Sequence, residues 1–166
     1  GEWSEGENTV MSQFVEPGDT VLDIGANIGT TVMSLSKRVG AKGKVYAFEP
    51  QQLMLQCLNT NLVLNNIKNV DVFSLAVSSE TGWVLLNDQE HSGAGRYGSV
   101  SISNDGTPAQ AIHLNEFPIN KCSFVKIDVE GHEWNIVQGG DKFLVQHQPV
   151  VYLSLIHISE PTRHTR

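Results

Sequence analysis

The segment from Thr20 to Phe48 constrains the fold more than any other part of the chain. Thr20 to Ile24 is a short apolar run rich in β-branched residues, interrupted by one carboxylate, Asp23, and closed by Gly25. Such a run reads as a buried strand that ends in a loop. From Gly29 to Val39, Val32, Leu35 and Val39 share one helical face, Lys37 and Arg38 occupy the last turn, and Gly40 follows. These are the signs of a helix and its C-terminus. Lys44 to Phe48 is a second strand, ending at Glu49-Pro50. A strand, a glycine turn, a helix and another strand make a crossover, and a crossover commits its two strands to a parallel sheet.

The rest of the chain extends this pattern. Val10, Met11, Phe14 and Val15 lie at helical spacing before the turn Pro17-Gly18-Asp19. Gln51 to Asn66 predicts a second long helix with Met54, Leu58 and Leu62 on one face, and Val70 to Val77 a third strand. Beyond it come Thr81-Gly82, a strand-like Trp83 to Leu86, and a Gly/Ser-rich stretch from His91 to Ser103, together read as an antiparallel insertion with a mobile loop. Phe124 to Ile127 is another buried strand, followed by Asp128. A helix from Gly131 to Gln138, helical structure at Phe143 to Val145 and a last strand from Pro149 to Leu153 complete the pattern. The predicted class is α/β, a mostly parallel sheet with helices on both faces.

The chain's 166 residues suit one domain. With 11 Lys+Arg against 18 Asp+Glu the net charge is -7, which argues against a phosphate-backbone binder, so nucleic acid is not an expected partner. The sequence has no apolar run of about 18 residues and no signal-peptide start, so a soluble, cytoplasmic protein without a membrane partner is expected. Cys57 and Cys122 have no second Cys or His at ligand spacing. They are read as free thiols, with no metal site.

In sheets of this kind ligands bind beyond the carboxyl ends of the strands. The turn Asp23-Ile24-Gly25-Ala26-Asn27-Ile28-Gly29 lets the backbone approach a ligand and leads into a helix N-terminus. Glu49, ending the next strand, can accept both hydroxyls of a ribose. A nucleoside-containing ligand follows. A dinucleotide turn wants G-x-G-x-x-G, whereas this one spaces its glycines G-x-x-x-G behind an acidic residue. Asp23 suits a cationic ligand such as a sulfonium with its α-amino group better than a pyrophosphate. S-adenosyl-L-methionine is the expected cofactor.

The sequence resembles the FkbM-type methyltransferases, a branch of the class I S-adenosylmethionine-dependent enzymes. The likeness is carried by Gly1 to Glu7, by Val21 to Thr31, by Val45-Tyr46-Ala47-Phe48-Glu49-Pro50 and, most specifically, by Lys126-Ile127-Asp128-Val129-Glu130-Gly131-His132-Glu133. It implies a Rossmann-like class I methyltransferase sheet over residues 1–152. It also implies that Asp23, Gly25, Asn27 and Gly29 hold the methionine part of the cofactor, Glu49 the ribose, and the third strand's end near Ala76 the adenine. In one place the sequence departs from the family: Leu114-Asn115 stands where Leu-Asp is usual.

Asp128, Glu130, His132 and Glu133 leave one buried strand close together. Methyl transfer to a hydroxyl needs in-line placement, and His or a carboxylate can take the proton. Asp128 is expected near the cofactor, with Glu130 or His132 as base or acceptor anchor. The expected reaction is O-methylation of a hydroxyl on a sugar or natural product, with a small-molecule or glycan acceptor. An NAD-dependent oxidoreductase and a non-catalytic cofactor-binding fragment are the alternatives. Leu153 to Arg163 corresponds codon by codon to a transposase sequencing adapter, so 153–166 is expected to be a non-native tail and the sheet to lack its C-terminal hairpin.

Overall fold

The structure, a computed structural model, describes residues 6, 9–87, 101–103 and 105–154. The expectations for the opening block apart from Gly6, for a mobile loop at His91 to Val100, and for the tail beyond Ser154 lie outside the described residues. In chain order the elements are β1 (Thr20–Ile24), α1 (Thr30–Val39), β2 (Lys44–Phe48), α2 (Gln52–Leu64), β3 (Val70–Phe73), β4 (Ala76–Ser78), β5 (Gly82–Asn87), β6 (Ser101–Ser103), β7 (Thr107–His113), β8 (Phe124–Ile127), α3 (Glu133–Gly139), α4 (Asp141–His147) and β9 (Val150–Leu153).

Five strands form the main sheet in the order β3-β2-β1-β8-β9, and every neighbouring pair is parallel. The chain runs outward from β1 to β3 and then returns to lay β8 on the other side of β1. The carboxyl ends of β1 and β8 therefore flank the point where strand order reverses, the place where open α/β sheets bind ligands. Both faces are covered, and the two-residue period of the strands sorts the core. Val21, Val45, Ala47 and Phe124 pack with Val32, Leu35, Val39, Leu58 and Leu62 of α1 and α2. Leu22, Ile24, Val125 and Ile127 pack with Leu114, Phe117, Ile136 and Phe143 on the other face. Asn69 closes the end of α1, its amide donating to the Ser36 and Gly40 carbonyls at 2.9 and 3.0 Å.

The insertion forms its own sheet, β4-β7-β5-β6, with β5 antiparallel to both neighbours and β4 parallel to β7. This corrects the single third strand expected over Val70 to Val77. That run divides at Ser74-Leu75, and its second half, β4, joins the other sheet. The second sheet is docked closely to α3, since a Cβ at Gly139 would lie 2.6 Å from Ser79 Cα. Among the described residues no helix is long and apolar enough to cross a membrane. Cys57 and Cys122 are free, and burial pushes the Cys122 thiol up to about 12.

Candidate active site

The turn after β1 needs a left-handed backbone at three positions, with φ of 81° at Gly25, 50° at Asn27 and 89° at Gly29. The Gly25 and Ala26 N–H groups both donate to the Phe48 carbonyl, at 3.1 and 3.0 Å, which ties the turn to the end of β2. A Cβ at position 25 would lie 2.0 Å from the Asp128 carbonyl oxygen. Only glycine lets the turn run this close to the end of β8. A Cβ at Gly29 would meet Leu58 Cδ1 at 2.3 Å, so this second glycine brings α1 onto α2.

Glu49 is buried beside the turn. Its Oε2 accepts the Asn27 N–H and its Oε1 the Gln51 N–H, each at 2.8 Å. Burial raises its pKa, and the two N–H donors oppose that rise in part. Each oxygen keeps a further lone pair for a ligand hydroxyl.

Lys126 is a site residue that the sequence reading did not single out. It lies in β8 opposite Asp23 of β1, only 2% exposed beside a fully buried Asp23. Its ammonium sits 3.2 Å from Asp23 Oδ1 and 3.1 Å from Asp128 Oδ2. Burial opposes the lysine's charge, but the two carboxylates prevail and hold its pKa above the ordinary value. The Asp128 side chain is 45% exposed and reaches from this buried pair toward solvent. The signal was present in the sequence: a lysine inside the apolar run Phe124 to Ile127 cannot be buried without a counter-charge.

Between the two sheets opens a narrow cleft of about 40 Å³ whose lining includes Gly25, Phe48, Ala76, Val77, Glu130 and His132. Ala76 lines this cleft from β4 of the second sheet rather than from the end of β3. Phe48, on the cleft wall, stacks on Phe73 at 5.2 Å. His132 Nε2 lies 2.9 Å from the hydroxyl of Ser78, a residue that is buried. Burial lowers the His132 pKa against the opposing pull of Glu133, so the imidazole is neutral at neutral pH. Gly25, Ala76, Glu130 and His132 line one cavity, while Asn27 and Glu49 are joined directly, and so are Asp23 and Asp128 through Lys126. Asn115, where an acidic residue was the family expectation, instead fixes α4: its amide donates to Asp141 Oδ1 at 2.8 Å and its Oδ1 accepts the Phe143 N–H at 2.7 Å.

A comparison with curated proteins finds no match. Solved structures do match. A methyltransferase FkbM from Methylobacillus flagellatus KT superposes with a TM-score of 0.61 at 17% identity, covering 90% of this chain and 40% of its own. A SAM-dependent methyltransferase from Aquifex aeolicus gives 0.53 at 23% identity, covering 90% and 61%. An rRNA methylase from Streptococcus thermophilus gives 0.53 at 14%, covering 87% and 64%. The chain thus spans between 40% and 64% of these proteins' lengths, and at such identities the likeness is one of fold. That fold is the Rossmann-like class I methyltransferase fold expected from the sequence. The match to the methyltransferase FkbM domain is more specific, since it runs over residues 23–164, and it shows that this chain belongs to the FkbM methyltransferase family.

Proposed function

We propose that this chain is the S-adenosylmethionine-binding domain, residues 1–152, of a cytoplasmic enzyme that methylates a hydroxyl on a sugar or natural product. The observation that carries this reading is the joining of Asn27 to Glu49, whose chain neighbours Phe48 and Pro50 line a cleft with apolar walls. The residues present fit the cofactor. Phe48, Ala76 and Val77 offer apolar walls for a purine, Glu49 accepts the ribose hydroxyls, Gly25, Asn27 and Gly29 take the amino-acid end, and the buried Asp23 holds Lys126.

S-adenosylmethionine supplies an electrophilic methyl group on a sulfonium. The chain's part is to place an acceptor hydroxyl in line with it and to remove the hydroxyl proton. Glu130 and His132, on the cleft wall, are the groups for this, and a neutral imidazole is ready to accept. When bound, the cofactor would give up its methyl group to the acceptor oxygen and leave as S-adenosylhomocysteine, while Glu130 or His132 would take the hydroxyl proton. Asp128, paired with Lys126, stands near the cofactor and supports its binding. Two neighbours in fold are named rRNA methylases, so the choice of acceptor is part of the test. The net charge of -7 favours a small molecule or glycan over RNA.

Incubation with methyl-labelled S-adenosylmethionine and separate panels of sugars, hydroxylated natural products and RNA tests the reading. Label is expected in methyl ethers of the first two panels, with equimolar S-adenosylhomocysteine. Label in RNA alone would overturn the acceptor, and binding of NAD without S-adenosylmethionine would overturn the reaction.

A further inference from the structure

Pro50 and Leu86 line the cleft on one side and, on the other, an open groove of about 390 Å³ over β5 and β7. Trp83 stands in this groove, 70% exposed. Around it are the side chains of Gln51, Gln52 and Gln110. Among the described residues none that lines the groove carries a charge, although the protein as a whole has a net charge of -7. Gln51 also connects the two cavities, because its N–H donates to Glu49 at 2.8 Å.

This combination selects a ligand chemistry. A phosphate or carboxylate would call for Lys or Arg, and a cation for Asp or Glu. A primary amide both donates and accepts, as a hydroxyl does, so an amide-lined wall matches a polyhydroxylated surface without regard to charge. An exposed indole is a broad, rigid apolar face that binds at low entropic cost. It suits a ring with one C–H face and hydroxyls around its edge.

We propose that this groove is the acceptor subsite and that it holds a neutral carbohydrate, stacked on Trp83 and hydrogen-bonded by Gln51, Gln52 and Gln110. The proposal deepens the methyl-transfer reading and rests on it, because Pro50 and Leu86 form a wall common to the groove and the cleft. RNA is the poorer occupant, since among the described residues no cation lines the groove to meet its phosphates.

The test is an array of neutral oligosaccharides, anionic oligosaccharides and short RNAs, probed with the parent chain, Trp83→Ala, Trp83→Phe and Gln110→Ala. S-adenosylmethionine titrations run on the same samples. Neutral glycans are expected on the parent, with affinity down about tenfold or more in Trp83→Ala, less in Trp83→Phe, and cofactor affinity unchanged in both. Binding of neutral glycans equally well by Trp83→Ala, preference for anionic glycans or RNA, or an array with no neutral glycan bound would overturn the proposal. Trp83-dependent glycan binding by a chain that ignores S-adenosylmethionine would uphold the groove and sink the methyl-transfer reading.

Discussion

The ammonium of Lys126 lies 3.2 Å from the carboxylate of Asp23, and both side chains are sealed inside the parallel sheet. The pair spans β1 and β8 at the point where strand order reverses. Because Asp128 takes a second contact with the same ammonium at 3.1 Å, one lysine sets the spacing between the buried carboxylate of Asp23 and the half-exposed one of Asp128. A buried ion pair is weak evidence of stability, because desolvation offsets much of the attraction, but removing one partner strands the other.

Lys126→Met is therefore expected to destabilise the fold by about 3–5 kcal/mol, measured by urea unfolding. Asp23→Asn in the same background should recover part of that loss, since it removes the stranded charge. The pH dependence follows from the raised lysine pKa. This contribution is complete below the usual lysine value and is lost as pH rises through the higher folded value, so the difference between parent and Lys126→Met should narrow only in strong alkali. Additive losses in the double variant would mean the pair is not coupled.

Gly25→Ala and Gly18→Ala separate backbone strain from close approach. Both glycines have positive φ, 81° and 92°, so each substitution should cost about 1–2 kcal/mol from conformation. Only at Gly25 does the new Cβ meet a backbone oxygen, at 2.0 Å, whereas nothing lies within 4 Å at Gly18. Thermal unfolding should show the larger loss for Gly25→Ala. Equal losses would mean the turn does not depend on contact with β8.

Glu130→Gln keeps the shape of a cleft-lining residue while removing its proton acceptor. If Glu130 is the base, single-turnover methyl transfer should fall by roughly 10²- to 10⁴-fold with cofactor affinity retained. If His132 is the base instead, the rate should survive in Glu130→Gln and fall on acidification with a midpoint below the usual histidine value, because burial lowers its pKa. The lowered value also means that its share of stability is present above the unfolded pKa and lost as pH falls through the folded one. The pH–rate profile of each variant distinguishes the two.

The legible parts of the fold were those with strong local signals. β1, β2 and β8 are compact apolar runs bounded by glycine, proline or a carboxylate, and they form over the expected residues. The division of Val70 to Val77 was not legible, because Ser74-Leu75 carries no glycine or proline to mark a change of sheet. β7 escaped notice because its buried positions, Ala109 and Ala111, are small, and Pro108 argues against a strand. The glycine turn, Glu49 and the carboxylates after β8 were readable from type and spacing. Ser78 was not, since its contact with His132 depends on how the second sheet docks against α3.

The central claim is that the turn after β1 and Glu49 together hold S-adenosylmethionine. Isothermal titration of the parent and of Glu49→Ala, repeated across acid pH, tests it most directly. Burial raises the Glu49 pKa above its ordinary 4.5, so its stability contribution is present below that value and lost as pH rises through the folded pKa. Cofactor hydroxyls need the ionised form, and affinity should fall as the solution is acidified through the raised pKa. The expected result is S-adenosylmethionine binding that Glu49→Ala weakens by about 2–4 kcal/mol, with the acid sensitivity lost in the variant. Unchanged affinity in Glu49→Ala, or no binding by the parent, would contradict the account.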